Sequence, residues 1–394
     1  MGILRRILGL VAAVLVLGIL AGAVPGLLSR YASRPDDFVQ YWDSASVLLA
    51  ARNPYLPSEL ANWPKPSGWP ASSEFNTWVP PWTIPFLLPF GLVAYPVARL
   101  LWLALCFALV FGAGHFWLRV YIGPERIVRW YWLVPVVVLS CYPVVVVLSI
   151  GQIGPLVLAG LTGWFYFTER GRDFLAGSCL LLAAIKPHLL IVFWSALLLW
   201  VLRSRRWGQM WGGALALILA ACVPLLWNPQ VVGQYLAIVT GHPPVFWATS
   251  TVGALLMFGL GSARGWILFI PALVGIIWVS FHVTRHRDSW GWRDRLPLIL
   301  LVSVLTTPFG WYWDLVILVP ALMQVTAWLV ARRSLVLTIF PIYLVINLGA
   351  YVMNLFAADA LFYFWMAPAL LVLFLVARTR YSRFVLPPTS SVTP

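Results

Sequence analysis

Apolar runs close to the ~20 residues needed to cross a bilayer recur along the whole chain, separated by short polar segments. The first, from Ile7 to Leu28, follows Arg5 and Arg6. It is long for the apolar core of a signal peptide, so the expectation is a retained anchor rather than a cleaved signal. A polar stretch then reaches about Pro80. The next apolar segment, "VPPWTIPFLLPFGL", is short and rich in proline, which predicts an interfacial or re-entrant element. Further spans are expected near Pro96–Leu118, Trp130–Leu148 and Leu156–Phe167, and at about 209–227, 265–283, 335–353 and 361–377. Two intervals between arginine clusters, Arg172 to Arg203 and Arg295 to Arg332, are too long for one span and short for two full ones. Each is expected to be an out-and-back hairpin, with tips at "IKPH" and "TTPFGWYWD"; Pro187 disfavours a straight helix through the first tip. The pattern predicts an all-α polytopic membrane protein of about twelve transmembrane helices, folded as one domain over 1–394, with no convincing internal repeat.

Composition supports that class. The chain is 62% hydrophobic and 10% charged, against roughly 25% charged in soluble domains. The net charge of +14 does not call for nucleic acid, because 24 of the 26 basic residues are arginine and most lie in short clusters between apolar runs. That is the signature of cytoplasmic loops. It places both termini in the cytoplasm of a cell (plasma or inner) membrane. Two long loops, about 29–95 and about 228–263, then face outward, the first carrying interfacial helices. Cys106, Cys141, Cys179 and Cys222 fall inside apolar runs without metal-ligand spacing, so small buried thiols and no disulfide are expected.

On this topology the unusual polar residues gather at the outer side. Lys186, one of two lysines in the chain, is flanked by apolar sequence on both sides, and a lysine within a membrane helix costs about 3 kcal/mol unless it faces a cavity or a partner. It is a candidate anion ligand, with His188 as a second donor; the bland alternative is snorkelling to the interface. Asp314 is the acid of the second hairpin and has three open roles: pairing with Lys186, orienting a sugar hydroxyl, or capping the following helix. Gln152 in "SIGQIG", His242 in "TGHPPVFW" and Trp313 are further candidates. Many of the 24 tryptophans suit an interfacial belt or sugar stacking.

Three aspartates crowd the segment "RPDDFVQYWDSA". Helical spacing puts Phe38, Trp42, Ala45 and Leu49 on one face and Asp37, Tyr41 and Ser44 beside it, predicting an amphipathic helix on the outer surface. Asp36 reads as a cap, Asp43 as solvated, and Asp37 as a partly desolvated carboxylate suited to accept a proton from a hydroxyl.

The order of "DDFVQYWDSASVLLAARNPY", "VPPWTIPFLLPF", "SIGQIGPLVLAGL", "AAIKPHLL" and "TPFGWYWDLVILVPAL" resembles glycosyltransferase family 87. These are polytopic GT-C enzymes similar to polyprenol-phosphate-mannose-dependent mannosyltransferases. The resemblance implies a GT-C-type bundle and an inverting transfer of a hexose, with mannose as the expectation, from a polyprenyl-phosphate sugar to a glycolipid or glycan acceptor. It implies Asp37 as general base and Lys186 with His188 on the donor phosphate. Tyr41, Gln152, His242, Trp313 and Asp314 become candidates for sugar or acceptor contacts. No cofactor and no metal are expected. The stretch "WATSTVGALL" departs from the Asn-Gln-Ser-like pattern of many relatives. The competing class is a secondary transporter or lipid flippase of the cell envelope, in which Lys186 and Asp314 would line a transport path.

Overall fold

In a computed structural model of the chain, residues 36–65, 77–241, 247–261, 264–356 and 358–385 are described. The expected first span, Ile7 to Leu28, and His242 lie outside them. The described residues form helices and no strand. The main helices are α1 Phe38–Leu49, α2 Tyr95–Ile122, α3 Leu133–Ser140, α4 Tyr142–Ile150, α5 Gly154–Thr168, α6 Asp173–Ala183 and α7 Ile191–Ser204. They continue as α8 Trp207–Cys222, α9 Ile270–Arg285, α10 Trp292–Thr306, α11 Val319–Ala331, α12 Val336–Leu355 and α13 Met366–Val385.

Among the described residues, seven helical segments are long and apolar enough to cross a membrane: α2, and the segments Pro187–Ser204, Trp207–Leu226, Gly265–Arg285, Tyr312–Ala331, Arg333–Leu355 and Ala360–Ser382. An eighth candidate is broken: α3 and α4 meet at 76°. The cause is local. Cys141 is extended between them and Pro143 sits in the first turn of α4. The backbone N–H of Tyr142, which the break deprives of a helical acceptor, donates to Asn347 Oδ1 at 2.8 Å. A neighbouring helix thus satisfies the freed donor, the condition for a broken helix at membrane depth. At the other expected positions the helices are short: α5 has 15 residues, α6 has 11 and α10 has 15.

Several helices begin with proline in the first turn, as in α2, α5, α9 and α11, where a missing N–H costs nothing. Segment Tyr312–Ala331 is the central one, with 78% of its apolar window buried against 22% for Trp207–Leu226 at the periphery. α11 packs on α2, α13 and α10. α6 lies between α5 and α8, and its contact with α8 is backbone to backbone. A Cβ on Gly177 would stand 2.0 Å from the Gln209 carbonyl oxygen, and one on Gly212 2.0 Å from that of Phe174. Small residues permit this close approach of apolar helices.

The proline-rich segment before α2 differs from its expected form. "VPPWTIPFLLPFGL" is a 3-10 turn, Pro81–Phe86, followed by a four-residue helix, Leu88–Gly91. These pack on α1 and α8. As a result α1 is not an amphipathic helix with an open polar face: Tyr41, Asp43, Ser44 and Ser46 are buried along with its apolar residues. Asp43 in particular is not solvated. It is fully buried and ion-paired with Lys65, and loss of water pushes its carboxyl up to about 7 despite that lysine. All four cysteines are free, and Cys222 is exposed rather than buried.

Two ends of the bundle are chemically distinct. Arginines from separate loops converge at one end, where Arg203 lies 3.9 Å from Asp288, Arg206 pairs with Asp173 and Arg293 reaches the Tyr121 carbonyl. The opposite end carries the start of α1, the end of α4 and both hairpin tips.

Candidate active site

Both predicted hairpin tips exist and touch. α6 stops at Ala183 before "IKPH", and the chain resumes as a 3-10 turn, Pro187–Leu190, leading into α7. Carbonyl groups freed by this break are covered by tryptophans: Trp82 Nε1 donates to Ala184 O at 3.0 Å and Trp194 Nε1 to Pro187 O at 3.2 Å. The second tip runs from Thr307 into the 3-10 segment Tyr312–Leu318. Thr307 Oγ1 donates to the His188 carbonyl at 2.8 Å, stitching the tips together.

Between them a single hydrogen-bonded chain links four distant parts of the sequence. Lys186 Nζ donates to Asp314 Oδ1 at 2.7 Å and to Gln152 Oε1 at 3.2 Å. Gln152 Oε1 also accepts from the Tyr41 hydroxyl at 2.8 Å, and its Nε2 donates to Asp37 Oδ2 at 2.5 Å. The other oxygen of Asp314 accepts from the Trp311 backbone N–H at 3.0 Å. Two of the roles left open for Asp314 therefore coexist, one on each carboxylate oxygen: partner of Lys186 and cap of its own helix. Lys186 is 14% exposed and held by these partners, which is not the geometry of a snorkelling side chain.

Gln152 can act as the hub because of the turn that carries it. Gly151 ends α4 in the left-handed region at φ +70°, and a Cβ there would meet Phe38 and Arg99 at 2.8–3.0 Å. Only glycine adopts this turn without strain so close to its neighbours. The turn is anchored to α2 from the other side: Trp102 Nε1 donates to Gly151 O at 2.8 Å, and Arg99 Nη2 to Ser149 O at 2.8 Å.

Arg99 also explains the first of the tandem aspartates. Its Nε and Nη2 both donate to Asp36 Oδ2, at 3.0 and 2.6 Å, in a pair that is almost wholly buried. Asp36 Oδ1 accepts the Phe38 backbone N–H at 3.1 Å, although the N-cap position falls on Asp37 and not on Asp36 as expected, and the Asp37 side chain makes no capping bond. Asp36 is committed to structure, whereas Asp37 keeps part of its surface open. Burial holds the Asp37 carboxyl above the usual carboxylate range; the Gln152 hydrogen bond and the Lys186 charge offset this only in part. Such a carboxylate is a better proton acceptor than a solvated one.

The remaining candidates divide. Tyr41 is buried and its hydroxyl is already engaged by Gln152. His188 stands next to the Lys186 turn but outside the hydrogen-bonded chain; its Nε2 is buried without a partner and its ring faces Phe309. Trp313 stacks on Trp311 at 5.7 Å, Trp311 lies 5.4 Å from Trp247, and Trp247 meets Trp78 edge-on at 4.4 Å. This half-buried tryptophan row leads to Asp314. Arg99 and Trp102 were not foreseen from the sequence.

Comparison with curated proteins and with solved structures returned no match to either. The family description "Glycosyltransferase family 87" matches residues 79–308. That stretch includes Gln152, Lys186 and His188, while Asp37 and Tyr41 precede it and Asp314 follows it. More than half of the chain is matched and the bundle carries seven candidate spans: the chain is a membrane glycosyltransferase belonging to glycosyltransferase family 87.

Proposed function

We propose that the protein transfers a hexose, mannose being the first candidate, from a polyprenyl-phosphate sugar to a hydroxyl of a glycolipid or glycan acceptor, with inversion at the anomeric carbon. The observation that carries this reading is the Asp37–Gln152–Lys186–Asp314 chain, which joins a partly desolvated carboxylate to a lysine through the side chain of Gln152. Asp37 accepts the acceptor's hydroxyl proton as its oxygen attacks the anomeric carbon. The bond to the donor phosphate breaks, and Lys186 stabilises the negative charge that develops on the departing polyprenyl phosphate. His188, one residue beyond Pro187, is the second donor for that phosphate. Gln152 holds the lysine and the base in register, and Asp314 orients the lysine. Trp78, Trp247, Trp311 and Trp313 offer half-buried faces for sugar rings.

In the same reading the bundle has about twelve spans with both termini cytoplasmic, and the site opens on the outer face of the cell membrane. Convergence of the arginines at the end opposite Asp37 supports that orientation. The donor class is tested with membranes containing the protein, supplied with radiolabelled polyprenyl-phosphate hexoses or with the corresponding nucleotide sugars. The expected result is labelled product from the lipid-linked donor alone. Label taken only from the nucleotide sugar, or vesicle uptake of lipid without glycosidic product, would overturn it.

A further inference from the structure

The arginine end of the bundle holds a cavity that the transfer reaction does not use. It measures about 700 Å³ and lies between the C-terminal end of α2, the segment that follows it, the start of α10, the end of α11 and α13. That is the size of a small-molecule site. Arg126, Arg129, Arg293 and Arg333 line it against two carboxylates, Glu125 and Asp294, leaving a net charge of two positive. Among the described residues none of these four guanidinium groups lies within 4.0 Å of a carboxylate.

Its floor is polar and unsatisfied. Gln324 is 5% exposed, and its Oε1 has no hydrogen-bond partner among the described residues; the buried Tyr121 hydroxyl is in the same state. Leaving such groups unpaired is unfavourable, so a ligand that supplies partners gains on both counts. Gln324 sits seven residues before the end of α11 at Ala331, which sinks the floor about 10 Å below the helix terminus at 1.5 Å per residue. Trp130, Trp328 and Tyr381 form its aromatic side, as at a membrane–water interface.

We propose that this basin binds the phosphate headgroup of an anionic membrane lipid. Guanidinium groups match phosphate oxygens in pairs, and basic pockets between membrane helices at the positively charged side are suited to such headgroups. The phosphate takes the arginines and the Tyr121 hydroxyl. Gln324 Oε1 needs a donor, and a headgroup hydroxyl, as in glycerol phosphate, provides one. The occupant is therefore a hydroxyl-bearing anionic phospholipid of the phosphatidylglycerol kind.

Native mass spectrometry of the full-length protein in detergent tests this, with phosphatidylglycerol, phosphatidic acid and phosphatidylcholine added in turn and inorganic phosphate as competitor. The wild type should retain phosphatidylglycerol at least tenfold more than phosphatidylcholine. Arg126→Gln/Arg129→Gln/Arg333→Gln, all at exposed positions, should lose that preference with unchanged circular dichroism. Gln324→Leu should lower phosphatidylglycerol to the level of phosphatidic acid, which lacks the glycerol hydroxyls. Equal retention of phosphatidylglycerol by the triple variant and the wild type would overturn the site. Displacement of the lipid by equimolar inorganic phosphate would overturn the lipid assignment in favour of a free anion.

Discussion

Gln152→Leu removes the hub of the relay without touching a charged group. Three hydrogen bonds disappear: to Asp37 at 2.5 Å, from Tyr41 at 2.8 Å and from Lys186 at 3.2 Å. A hydrogen bond to a charged group contributes about 1.5–3 kcal/mol. The donor from Gln152 favours the ionised form of Asp37, so its loss raises a carboxyl pKa that burial has already raised. At 1.36 kcal/mol per unit, the rise is about one to two units. The base must be deprotonated to accept the hydroxyl proton. Activity therefore rises with pH through the Asp37 pKa, and the acid limb of the profile moves upward by that amount. In a transfer assay from pH 5 to 9, the variant should lose roughly 10- to 100-fold on the acid side of both limbs and recover much of it on the alkaline side. The Lys186 contact predicts an additional pH-independent loss. An acid limb that stays in place, with activity depressed by one factor at every pH, would refute the claim that Gln152 tunes a titrating Asp37.

The other expectations follow from the same contacts. Lys186→Met leaves Asp314 buried without its cation, costing about 3–5 kcal/mol; Lys186→Met/Asp314→Asn should regain the lost melting temperature in detergent but not the transfer activity. Arg99→Gln strips the buried Asp36 of its partner and should destabilise by a similar ~3–5 kcal/mol, read as a lowered melting temperature, while Asp36→Asn/Arg99→Gln is milder. For topology, Ser58→Cys and Ser204→Cys are both at exposed positions. In a background lacking the exposed Cys222, an impermeant thiol reagent applied to intact cells should label the first and spare the second.

Much of this site could be read along the chain because its members are polar residues stranded in apolar sequence. Lys186, Asp314 and Gln152 each interrupt an apolar run, and the arginine spacing places their turns at one end. Proline and helix-length arithmetic located both hairpin tips. Contacts across long separations were not readable in the same way. Asp36 meets Arg99 over 63 residues, and nothing local distinguishes that arginine from one that faces lipid headgroups. The burial of Asp43 depends on Lys65 and on the short turns over α1, which periodicity within α1 cannot reveal. Periodicity also treats a helix as straight, so the break at Cys141, stabilised by Asn347 far along the chain, was invisible. Tryptophan use was ambiguous for the same reason: Trp82, Trp102 and Trp194 cover backbone carbonyls at broken helices and turns, a role set by tertiary geometry.

The most direct test of the account compares Asp37→Asn with Asp36→Asn in membranes normalised for folded protein and supplied with a radiolabelled polyprenyl-phosphate hexose. Loss of a general base lowers the rate by about 10²–10⁴-fold. The account predicts that loss for Asp37→Asn, and for Asp36→Asn a fall in the amount of folded protein with near-normal transfer per folded molecule. Wild-type levels of labelled product from Asp37→Asn would contradict it.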